Sequence, residues 1–116
     1  RELGLLNIIV DEVRSNGVEA TVAKVLKKLN GCDVIYVSFD VDSMDPELTS
    51  HGTGPPVKNG LTQEEAAGLL EGFASSPKTA CVEFVEVNPC LDEKKNKMAE
   101  VAFSLLERTV SALVNR

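Results

Sequence analysis

Three short runs of apolar and β-branched residues punctuate the chain, and between and after them the apolar positions change period. Leu5-Leu6-Asn7-Ile8-Ile9-Val10, Asp33-Val34-Ile35-Tyr36-Val37-Ser38-Phe39 and Thr79-Ala80-Cys81-Val82-Glu83-Phe84-Val85-Glu86-Val87 have the length and composition of buried strands. Helical spacing takes over at Val18, Val22, Val25, Leu26 and Leu29, with Lys24, Lys27 and Lys28 on the other face. This predicts a helix over 18–30 that stops at Asn30-Gly31, where glycine takes the left-handed conformation that ends helices. A second helix begins at Thr62, which can cap it while Glu65 completes a capping box, and Ala66, Leu69, Leu70 and Phe73 form its inward stripe. Ser75-Ser76-Pro77 breaks that helix. The longest helix, over 93–115, carries Met98, Val101, Ala102, Leu105, Leu106, Val110 and Leu113 at helical intervals.

Strands alternating with helices imply βαβ units and a parallel sheet covered by helices on both faces, an α/β fold. Ligands of such sheets bind beyond the carboxyl ends of the strands. The two most polar strand ends, Asp40-Val41-Asp42 and Glu86-Val87-Asn88, both fall there and would open onto one crevice. Between them, residues 43–60 form a loop rich in Pro, Gly, Ser and Thr, far longer than the ~4–6 residues usual in compact domains. In an extended segment residues two apart project to the same side, so Asp40 and Asp42 can aim both carboxylates at one point. Paired carboxylates repel, and a divalent cation between them relieves the repulsion. The competing reading makes Asp40 the cap of a turn, with Asp42 and Asp45 as solvated loop acids.

Composition narrows the function. At 116 residues the chain is one domain or part of one. Its 43% hydrophobic and 26% charged residues are globular values, which exclude a disordered tail. A net charge of −6 with no run of Lys or Arg excludes a nucleic-acid footprint, and no stretch approaches the ~18 apolar residues that span a bilayer. Cys32, Cys81 and Cys90 are odd in number and widely spaced, with no zinc pattern, and are expected as reduced, mostly buried thiols of a cytoplasmic protein. The chain opens on Arg1 and runs at once into an apolar segment, so it is expected to be a piece of a longer protein.

The string Ser38-Phe39-Asp40-Val41-Asp42-Ser43-Met44-Asp45-Pro46 resembles the SFDVDxxDP signature of arginases. Downstream, Gly52-Thr53-Gly54-Pro55-Pro56-Val57-Lys58-Asn59-Gly60-Leu61-Thr62 is similar to their GTGTPVxxGLT segment, and Glu86-Val87-Asn88-Pro89 to their EVNP. Three motifs in order, over residues 36–90, identify the chain as resembling the ureohydrolase family of the arginase and agmatinase type. The resemblance implies the arginase/deacetylase fold, a three-layer α/β/α parallel sheet of which only the carboxyl-terminal βα units are present here. It implies hydrolysis of the arginine guanidinium group to ornithine and urea at a binuclear Mn(II) centre. Asp40 would be a ligand of both ions, Asp42 a ligand of one, and Glu86 would receive the guanidinium of L-arginine. Hard carboxylate oxygens suit Mn(II), and a carboxylate pairs with guanidinium through charge-assisted bonds.

Residues 1–116 are on this reading the carboxyl-terminal part of a single ureohydrolase domain. The remaining metal ligands, a histidine and an Asp-x-His-x-Asp cluster, and the general acid/base histidine are expected upstream, so the fragment alone is expected to be inactive. His51, the only histidine, reads as a loop residue. Pro55 stands where the family pattern has Thr, which removes a hydroxyl and a backbone donor beside the pocket. Alternatives are an agmatinase, though those resemble SIDID before the DP and lack Asn-Pro after the glutamate, and a metal-less, non-catalytic subunit. A haloacid-dehalogenase-like phosphatase would also use Asp-x-Asp, but Met44 and Asn88-Pro89 depart from its pattern. Resemblance implies a homo-oligomer, trimer or hexamer. Sheet edges and Ile8, Val34, Ile35 and Val82 are expected to be bared where neighbouring strands are lacking.

Overall fold

The computed structural model describes residues 4–45, 59–88 and 97–116. The elements run α1 (Val10–Asn16), α2 (Val18–Lys28), β1 (Ile35–Asp40), a 3-10 turn (Val41–Ser43), α3 (Gln63–Ala74), β2 (Thr79–Val85) and α4 (Lys97–Asn115). Strands β1 and β2 pair in parallel with α3 as their crossover, the βαβ unit that the alternating periods predict. Val37 lies opposite Val82, Phe39 opposite Phe84 and Asp40 opposite Val85, so the strands finish level with one another. That common finish is what places the two polar strand ends side by side.

Strand alternation divides the sheet into a dry and an open face. Val37, Phe39, Val82 and Phe84 join a core with Leu70 of α3 and Met98, Val101 and Leu105 of α4. Tyr36, Ser38, Asp40 and Cys81 are exposed. The described residues therefore supply the sheet and one helical layer of the expected sandwich. Val34 is bared as expected, at 63% exposure, whereas Ile35 is buried, because its side chain points to the helical side.

Helix α3 begins where the capping box places it: Thr62 Oγ1 accepts from the Glu65 amide at 3.1 Å, and Glu65 Oε1 accepts from the Thr62 amide at 2.9 Å. Helix α2 approaches it closely because Gly72 offers no side chain; a Cβ there would lie 2.7 Å from Val22 Cγ2. Helix α4 is tied to α3 by Arg108, which reaches Glu64 and Glu71 at 3.0 Å each. The α4 stripe is narrower than its periodicity suggests. Leu106 and Val110 are 41% and 46% exposed, and the buried position on that turn is Thr109, whose hydroxyl donates to the Leu105 carbonyl at 2.7 Å. A self-satisfied hydroxyl can be buried at little cost, and the surface offered by α3 and the sheet is too narrow for both flanks of the stripe.

Two further expectations are corrected. Residues 5–10 are not a strand: 4–9 carry no regular element and Val10 opens α1. No strand lies beside this run among the described residues, and an apolar run without a ladder partner leaves its backbone unpaired. Asp11 and Glu12 favour a helix start instead, and Glu12 Oε1 accepts from the Ile9 amide at 3.3 Å. The thiols of Cys32 and Cys81 are exposed rather than buried, one in the turn after α2 and the other on the open face of the sheet. Cys90 lies outside the described residues.

Candidate active site at the carboxyl ends of the strands

Strand β1 delivers Asp40 by alternation. Phe39 turns into the core and meets Phe84 edge to face, with ring centroids 5.4 Å apart, so the two strand ends are pinned just below their polar residues. Asp40 then turns outward and is exposed. The chain does not continue extended, so the same-side geometry expected for Asp40 and Asp42 is corrected: Val41–Ser43 is a 3-10 turn. Asp40 makes that turn itself, since its Oδ1 accepts from the Asp42 amide at 2.8 Å and its carbonyl accepts from Ser43 Oγ at 2.7 Å. Val41, fully buried, plugs the turn into the core. Asp40 thus does what the turn-capping reading assigned to it, while its second oxygen remains the one with which it could meet a cation.

The exit of the long loop returns to this turn. Leu61 donates to the Ser43 carbonyl at 2.8 Å and its own carbonyl accepts from the Asp45 amide at 3.0 Å. Asp45 Oδ2 accepts from the Asn59 amide at 3.1 Å. Gly60 lies so close against Ser43, Met44 and Asp45 that a side chain would not fit. His51 and Pro55 fall outside the described residues.

Arg14 of α1 closes the assembly from the other side. Its Nε and Nη2 reach Glu65 Oε2 and Oε1 at 2.9 and 3.0 Å, and Nη2 also donates to the Gly60 carbonyl at 2.8 Å. Nη1 donates to the Asn59 carbonyl at 3.4 Å. The hydrogen bonds from Arg14 hold the Glu65 carboxyl below its ordinary range, and the same ion pair raises the guanidinium. Reasoning from the sequence found Glu65 as a cap and missed Arg14 and the packing role of Gly60. Their partners lie far along the chain, and no local period marks them.

Glu86 follows β2 directly and is exposed. Its φ is 70°, a left-handed conformation that non-glycine residues seldom hold and that clusters at ligand sites. Since Val85 lies opposite Asp40, Glu86 is the next residue beyond the shared strand end. Below it on the open face, Glu83 Oε1 accepts from Ser38 Oγ at 2.7 Å. The Tyr36 hydroxyl first and the Ser38 hydroxyl second hold the Glu83 carboxyl below its usual range, and Tyr36 is raised in return. Among the described residues no three His, Cys, Asp or Glu side chains are grouped to hold a metal ion. Asp40 and Asp42 nevertheless fit Mn(II) as part of a donor set, being hard carboxylates at the rim of a core.

The sequence matches the model of the Arginase family over residues 1–111. It is 33% identical over 107 residues to the arginase of Bacillus subtilis (strain 168), covering 92% of this chain and 36% of that protein. It is 37% identical over 83 residues to the agmatinase of Chromobacterium violaceum, covering 72% of this chain and 25% of that protein. The crystal structure of Helicobacter pylori arginase superposes with a TM-score of 0.88 at 31% identity, covering 97% of this chain and 37% of that chain. The chain spans about a third of the length of the curated arginases it matches.

Proposed function

Because the chain belongs to the arginase family, we propose that the intact protein hydrolyses the guanidinium group of L-arginine to ornithine and urea. Asp40 and Asp42 would serve as ligands of a binuclear Mn(II) centre, and Glu86 would receive the guanidinium. The observation that supports this reading is the level finish of β1 and β2, in which Asp40 pairs with Val85 and Glu86 is the residue that follows. Bound manganese would supply Lewis-acid polarisation and the activation of water at neutral pH. Asp40 offers the oxygen not used by the Asp42 amide, while the turn bond holds the carboxylate in one orientation. Glu86, accepting through one or both oxygens, would orient the planar cation and keep it charged. The other metal ligands and the acid/base histidine are assigned to the parts of the protein outside this chain.

We further propose a cytoplasmic homo-oligomer, trimer or hexamer, on the strength of the family resemblance. No helix of the described residues is long and apolar enough to cross a membrane. The likeness to an agmatinase makes agmatine the competing substrate. The test is urea release by the manganese-loaded intact protein from L-arginine and from agmatine, with the metal content measured alongside. Ornithine and urea from L-arginine with stoichiometric manganese are expected. Preference for agmatine would move the assignment to that branch, and absence of both urea and manganese would mark a non-catalytic relative. Sedimentation of the same preparation reads the oligomer.

A further inference from the structure

We infer that Arg14 is a positioning residue for the acidic strand end, holding in register the turn that carries Asp40 and Asp42. The inference rests on the metal-ligand reading above, and a chain of hydrogen bonds from α1 to the turn supports it. Arg14 uses its planar fork on three partners at once: the Glu65 carboxylate and the Gly60 and Asn59 carbonyls. Each carbonyl belongs to the stretch that docks on the turn. Asn59 donates to Asp45, and Leu61 exchanges bonds with Ser43 and Asp45. A continuous path of hydrogen bonds therefore runs from α1 through 59–61 to residues 43–45, next to Asp42. Glu65 Oε1 belongs to it too, since it accepts from both Arg14 and the Thr62 amide. The cap of α3, the loop exit and the acidic turn form one joint, to which α1 contributes the hydrogen bonds of Arg14.

Arg108 provides an internal control. It makes an ion pair of the same chemistry with Glu64 and Glu71, but between α3 and α4 and without touching 43–45 or 59–61. Loss of either arginine removes a helix-to-helix tie, and loss of Arg14 also loosens the 59–61 stretch that docks on the turn.

The experiment compares Arg14→Gln, Arg14→Lys and Arg108→Gln in the intact protein, by thermal melting, manganese titration and hydrogen exchange of peptides covering 41–45 and 59–62 in the metal-free form. Arg14→Gln is expected to weaken manganese binding about tenfold, as loss of a group that orients a metal ligand typically does. Exchange of both peptides should rise, and kcat should recover at saturating manganese with KM unchanged. Arg14→Lys keeps the charge beside Glu65 but lacks the fork, so it should restore melting more than metal affinity. Arg108→Gln should lower melting and leave metal affinity alone. If the wild type binds manganese and Arg14→Gln binds it within about twofold, or if exchange at 41–45 is unchanged, the inference is overturned while the functional reading stands. A wild type that binds no manganese overturns both.

Discussion

Substituting Gly60 by Ala tests the joint from inside. A Cβ at this position would sit 2.6 Å from the Ser43 carbonyl oxygen, 2.8 Å from the Met44 carbonyl carbon and 2.9 Å from the Asp45 nitrogen. All three are backbone atoms, so no rotamer change relieves the contact. Gly60 is not among the glycines with positive φ, so the constraint is space and not backbone conformation. To admit a methyl group the two segments must part, stretching the hydrogen bonds that Leu61 makes with Ser43 and Asp45. Overpacking of this kind costs about 1–3 kcal/mol, and two weakened neutral hydrogen bonds add about 1 kcal/mol each at most. Together these give an expected loss of about 1–5 kcal/mol, which reaches high into the range for single substitutions. Urea unfolding of the intact protein measures it as a lower midpoint at constant slope. Gly31→Ala is the companion, since nothing lies within 4 Å of that position. It should stay within about 0.5 kcal/mol of the wild type. If Gly60→Ala also falls within that margin, the close approach of 59–61 to the acidic turn is wrong.

Leu105 is 0% exposed at the centre of the α3–α4 core, so Leu105→Ala should cost about 2–5 kcal/mol in the same unfolding assay; a cost under about 1 kcal/mol would mean that this core is not closed. Glu86→Gly separates backbone from side chain. Relief of the left-handed residue, worth about 1–2 kcal/mol, should hold or raise the melting temperature, while affinity for a guanidinium ligand falls. A drop in both would show that Glu86 supports the fold and not the ligand. Acid titration of stability reads the Arg14–Glu65 pair. Because the folded Glu65 carboxyl lies below its ordinary value, its stabilisation is present above the unfolded value, about 4.3, and is lost as pH falls through the lower, folded one. Melting curves across that window should decline more steeply for the wild type than for Arg14→Gln, and coincident pH profiles would contradict the pairing.

The parts legible in the sequence are those whose causes are local. Apolar periodicity located α2, α3, α4 and both strands, and Thr62 with Glu65 marked the start of α3, because a cap and its partner sit within one turn. Residues 5–10 misled, since an apolar run becomes a strand only beside a partner, and partnership is a tertiary fact. Leu106 and Val110 misled for a related reason: period says which side of a helix is apolar, while the width of the neighbour decides how much of it is covered. The short motif around Asp40 pointed to the strand end, but the turn that follows it is made by the Asp40 side chain and is invisible to an extended-segment argument. Arg14 carried no signal at all, because a surface arginine on a short helix looks the same with or without a carboxylate waiting in a distant element.

The joint between Arg14 and Glu65 spans 51 positions, and this separation bears on the order in which the molecule comes together. Helices close through neighbours and form quickly, whereas a contact of that reach must first meet the entropy of closing a long loop. Capping of α3 and the turn that Asp40 makes with Asp42 and Ser43 close through near neighbours and can therefore precede the arrival of α1. What waits for α1 is the clamp from Arg14 onto residues 59 and 60, which flank the far side of that turn. On the proposed reading, the ion enters as the guest of a nearly finished scaffold rather than as the nucleus around which the chain condenses.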